Sequence, residues 1–97
     1  MKIPTKIKIG GHEFSISIIE GGTRFTRAGD VCNWDCTIRI NSSDKIAESS
    51  QAEALLHEII EAINHANELK IEHSTICTLS EQLFAVIRNN KLDFIKK

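Results

Sequence analysis

The chain has 97 residues, enough for one domain that buries roughly two-thirds of its unfolded surface. Its 41% hydrophobic and 26% charged residues match a folded globular protein and argue against a disordered one. A net charge of −1 argues against a dedicated nucleic-acid binder, and no apolar run nears the ~18 residues of a membrane span.

The start, MKIPTKIKIGG, threads lysines through its isoleucines, unlike a signal peptide, so a cytoplasmic location is expected. Gly10-Gly11 then reads as a two-residue hairpin turn, because glycine tolerates the positive φ such turns need. Pairing Ile9 with His12 sets Ile7 against Phe14, Thr5 against Ile16 and Ile3 against Ile18 on one face. The other face sets Lys8 against Glu13, an opposite-charge pair. Strands are therefore predicted over residues 3–9 and 12–19. Pro4 places the first at a sheet edge, where Lys2, Lys6 and Lys8 would discourage aggregation.

Gly21-Gly22 breaks the pattern, and TRFTRAGD reads as a loop or a short irregular strand. A second hairpin is predicted next, from Val31-Cys32 through Asn33-Trp34-Asp35 to a strand over residues 37–40. Trp34 would cap the sheet's core or stand exposed for a partner. Cys32 and Cys36 could face each other across this hairpin. With Cys77 they make an odd number without an export signal, so all three are expected to be reduced.

The second half reads as helical. Ser50 with Glu53 three residues later resembles a capping box, which predicts a helix over residues 51–69. On a helical wheel Leu55, Leu56, Ile59, Ile60, Ala62, Ile63 and Ala66 share one face. Glu53, His57, Glu58, Glu61, Asn64, His65 and Glu68 gather opposite. A second helix is predicted over residues 75–90, with Ile76, Leu79, Leu83, Val86 and Ile87 as its core stripe. Hairpins followed by helices give an α+β class, a small antiparallel sheet packed against two main helices in a single domain, 1–97.

The polar face of the first helix is unusual. Between Lys45 and Lys70 there are five glutamates and two histidines but no lysine or arginine. Solvated helices usually pair glutamate with lysine about a turn away. Here Glu58 and Glu61 repel, and a divalent metal would offset them. His57 and Glu61, four apart, lie one above the other, and both side chains are acceptable zinc ligands. A third ligand must come from elsewhere. His73, Cys77 and Glu81 form a ladder spaced by four if the second helix begins as early as His73, and His73 is the best of them. Cys77 reads first as a small apolar residue, and His65, two turns past His57, as exposed or as an outer partner of the ligands.

LLHEIIEAI, the later IEHSTICTLSEQLFAVI and the preceding GD-x-C-N-W-D hairpin resemble the small zincin-like proteins of phages and prophages, minimal gluzincin-type metallopeptidase domains. The resemblance spans nearly the whole chain. It implies a zincin fold with His57 as ligand and Glu58 as general base. Where that family's HExxH motif has its second histidine this chain has Glu61, an HExxE variant, and near Cys77 the family has a glutamate. With His73 on the partner helix the ligand inventory is kept, its members exchanged between helices. The resulting expectation is a zinc-dependent peptidase-like protein acting on a peptide or protein substrate. The alternative is a non-catalytic metal-binding or interaction module on the same fold, in phage or host regulation. A peptidase also needs an edge strand for its substrate, for which residues 37–40 are the candidate. For the oxyanion donor the chain has no tyrosine, leaving Arg39, His65 or His12.

Overall fold

A computed structural model describes residues 3–20, 27–42 and 46–92. Its elements in chain order are β1 (Lys6–Ile9), β2 (His12–Ile19), β3 (Gly29–Cys32), β4 (Thr37–Asn41), α1 (Glu48–Ala66) and α2 (His73–Asn90). Lys2, the Gly21-Gly22 break, residues 23–26, Ser43-Asp44 and the tail from Asp93 lie outside the described residues.

The first hairpin keeps the register its side chains dictate. Ile7 stands opposite Phe14, Ile9 opposite His12 and Lys8 opposite Glu13. The Ile16 N–H donates to the Thr5 carbonyl at 2.8 Å, extending the pairing below β1. Glu13 meets a different lysine from the one directly across: Lys6 lies 3.9 Å away, an exposed pair of little energetic weight. Ile18 departs from the expected inner face and is half-exposed, because α1 lies against β1, β3 and β4 and does not cover the far end of β2.

The sheet is mixed, with strand order β1-β2-β4-β3, so the expected all-antiparallel sheet is corrected. The β3–β4 hairpin is antiparallel, with Val31 opposite Ile38, but β4 also inserts beside β2 in parallel register, Ile16 opposite Ile38. This makes β4 the most buried strand. Ile38 and Ile40 are fully covered by Phe14, Ile16, Leu55 and their neighbours. The expectation that residues 37–40 form an exposed edge therefore fails; among the described strands the edges are β1 and β3. Trp34 resolves to the exposed alternative, since the turn carries it away from the core, 92% exposed.

Helix α1 begins a turn earlier than the capping box implied. The Ser50 N–H already donates to Ala47, and the cap at Ala47 has no side-chain bond, so the Ser50–Glu53 box does not form. Glu48 sits in the first turn, where a carboxylate is favoured by the helix dipole. The helix ends at Ala66 rather than Leu69 because Glu68 and Lys70 adopt positive φ, 49° and 59°. Helix α2 begins at His73 and, among the described elements, packs on α1 alone. With one neighbour it buries only part of its expected stripe. Ile76 is fully buried, whereas Leu79, Leu83 and Val86 are exposed.

Gly29 lets β3 lie close against the β4 backbone, with α1 beneath. A Cβ there would lie 2.9 Å from the Arg39 carbonyl oxygen and 3.4 Å from Glu58 Cγ. Gly29→Ala should therefore destabilise the protein by about 1–3 kcal/mol, read as a lower denaturation midpoint in urea. An unchanged midpoint would contradict this packing.

Candidate metal centre

Three elements wall an open cleft of about 970 Å³: β3, the polar face of α1 and the first turns of α2. The polar face of α1 is thus covered around His57, Glu58 and Glu61, while His65 and Glu68 stay exposed. Glu58 is only 7% exposed, and the side chains of His57 and Glu61 are mostly shielded.

Two local devices set this geometry. Asn64 clamps the interhelix loop, donating from Nδ2 to the Ile71 carbonyl at 3.2 Å and accepting the Ile71 N–H at 3.0 Å. That clamp positions the start of α2, so His73 reaches back to α1. On the other side Asn33 donates to the Ala62 carbonyl at 3.1 Å, tying the β3–β4 turn to the helix.

The structure brings His57, Glu61 and His73 together. Glu61 Oε2 lies 2.8 Å from His73 Nδ1 and 3.5 Å from His57 Nε2, and the two imidazole rings meet edge-on with centroids 5.0 Å apart. Cys77, one turn along α2, joins them: its Sγ lies 3.5 Å from His73 Nε2. One donor atom each from His57, His73 and Cys77 falls within 4.8 Å of the others, so this group can hold a metal ion. Behind it, buried Ser80 donates to the Cys77 carbonyl at 3.1 Å, and its oxygen lies 3.4 Å from His57 Nδ1.

Glu58 lines the same cleft beneath β3. Burial, then the Glu61 carboxylate and then Asp30 push its carboxyl up to about 7, against the pull of His73 and Arg27. Asp30 is held below the usual carboxylate range chiefly by its hydrogen bond with Arg39, opposite it on β4.

Of the residues considered for an oxyanion donor, His65 lines the cleft and is exposed, while Arg39 and His12 do not line it. Arg27 does line the cleft and supplies positive charge there. Sequence reasoning missed it because it sits in TRFTRAGD, which carries no periodicity. Cys77, a lesser candidate in the His73 ladder, reads from sequence first as a small apolar residue; its signal is the four-residue spacing from His73. No helix among the described residues is long and apolar enough to cross a membrane. Comparison with protein-family models, with curated proteins and with solved structures finds no match to this chain.

Proposed function

We propose that this protein is a metal-dependent hydrolase of the zincin-like type, acting on peptide bonds with zinc as its ion and Glu58 as its general base. The observation that carries the reading is the convergence of His57, Glu61 and His73 from two helices in a cleft that Glu58 also lines. His57 and His73 are the two imidazole donors, and either Glu61 or Cys77 completes the set. When bound, the ion supplies Lewis acidity, polarising a carbonyl and easing ionisation of water.

The chain's own residues supply the rest. Glu58, one position past His57, accepts a proton within the cleft and returns it to the leaving amine. Strand β3, an edge strand on the cleft wall, offers backbone N–H and C=O groups to an extended peptide. Arg27 contributes positive charge on the same wall, suited to a developing oxyanion.

A mixture of unstructured peptides incubated with the zinc-loaded protein tests the reading. Cleavage that stops on adding chelator and returns with zinc is expected; cleavage indifferent to chelator would contradict it. One observation favours a second reading, a non-catalytic interaction module: Leu79, Leu83 and Val86 form an exposed apolar stripe on α2. Under that reading zinc binds without any cleavage.

A further inference from the structure

Resting on the metal reading above, we infer that the third protein ligand is the Cys77 thiolate, with Glu61 and Ser80 orienting the two imidazoles. The HExxE spacing favours Glu61 as ligand, but the distances around His73 assign the roles differently. Glu61 Oε2 at 2.8 Å from His73 Nδ1 is at hydrogen-bond separation. Two atoms ligating one tetrahedral zinc through bonds of ordinary length stand farther apart, about 3.4 Å for nitrogen and oxygen. Glu61 therefore accepts the Nδ1–H proton of His73, which leaves the lone pair on Nε2. That nitrogen faces Cys77 Sγ at 3.5 Å. Bonds of ordinary length to a tetrahedral ion set nitrogen and sulfur about 3.6 Å apart. The separation of the two atoms, here that of a thiol–imidazole hydrogen bond, matches the spacing a shared ion requires.

His57 is oriented in the same manner. Ser80 gives its proton to the Cys77 carbonyl, so its oxygen is left to accept the Nδ1–H of His57, and the nitrogen left to ligate is Nε2, which lies 3.5 Å from Glu61 Oε2. Each imidazole thus has an outer partner that fixes its tautomer, the arrangement typical of ligating histidines. The same Ser80 bond joins His57 to the turn that carries Cys77. On binding, the thiol proton passes to solvent and the thiolate becomes the ligand. A donor set of two imidazoles and one thiolate selects thiophilic ions such as zinc or cobalt(II) over magnesium or calcium.

Cobalt(II), added to the metal-free 97-residue chain, tests the assignment through its absorption spectrum. One equivalent should produce a near-ultraviolet thiolate-to-cobalt charge-transfer band. Cys77→Ser should abolish it, while Cys32→Ser and Cys36→Ser keep it. Glu61→Gln should keep the band and weaken affinity about 10–100-fold, as loss of an orienting partner does. As a second readout on the unmodified chain, bound zinc should slow iodoacetamide labelling of Cys77 but not of exposed Cys32. Cobalt that binds without the band, or a band that survives Cys77→Ser, overturns the ligand assignment and leaves the metal reading standing. A chain that binds neither cobalt nor zinc overturns both.

Discussion

Replacing Glu58 with glutamine is expected to slow peptide hydrolysis by about 10²–10⁴-fold, the usual worth of a general base, while metal affinity stays near wild type. Glutamine preserves the shape of the side chain beneath Gly29 and removes its ability to take a proton. It also removes a buried negative charge that the neighbouring Glu61 and Asp30 disfavour. The variant should therefore fold at least as well as wild type, so lost activity would not reflect lost structure. Thermal melting alongside the peptide assay separates the two. A Glu58→Gln protein that folds, binds zinc and still cleaves at the wild-type rate would remove Glu58 from the mechanism.

Ile38→Ala is expected to have the largest effect on stability, about 2–5 kcal/mol. Ile38 is fully buried on the central strand, with Ile16 opposite on β2 and Val31 opposite on β3. Truncating it opens a cavity where three strands and α1 meet. A domain of this kind has only about 5–15 kcal/mol in total, so a measurable unfolded fraction follows. Ile18→Ala, at the half-exposed end of β2, should change stability by about 0.5 kcal/mol or less. Urea denaturation of both variants checks the contrast. Equal losses would mean that β4 does not occupy the centre of the sheet.

The parts of this fold that were legible in the sequence are those set by neighbours along the chain. Gly10-Gly11 fixed the first hairpin's register because a two-residue turn leaves little freedom in pairing. The spacing of His57 with Glu61 and of His73 with Cys77 placed each pair on one helical face. The parallel pairing of β2 with β4 was not legible. Alternation tells which face of a strand is apolar, but not which strand lies beside it, and more than fifteen residues separate Ile16 from Ile38. The missed start of α1 has a different cause. Ser50 and Glu53 matched a capping pattern, yet Glu48 and Ser49 tolerate helix well enough for the first turn to form ahead of them.

The candidate site divides along the same line. Spacing and the missing basic residues around His57 pointed to α1, and the ladder from His73 pointed to α2. The role of Cys77 was hidden because cysteine is so often a small apolar residue, and only the position of its sulfur beside His73 Nε2 distinguishes a donor. The contributions of Ser80 and Arg27 rest on contacts between distant segments, which no local pattern encodes, while that of Asn64 is a bond to Ile71, seven residues on, in a loop without periodicity.

Metal content and its effect on folding test the central claim most directly. Protein purified without chelator, measured by elemental analysis and by thermal melting with and without excess zinc, should hold one zinc per chain. Its melting temperature should rise with zinc concentration, since an ion bound only by the folded state stabilises it, by about 2.7 kcal/mol at a hundredfold excess over Kd. His57→Ala should lose both the ion and the rise, and His65→Ala should lose neither. A melting temperature that excess zinc leaves unchanged, in a protein carrying no metal, would contradict the account.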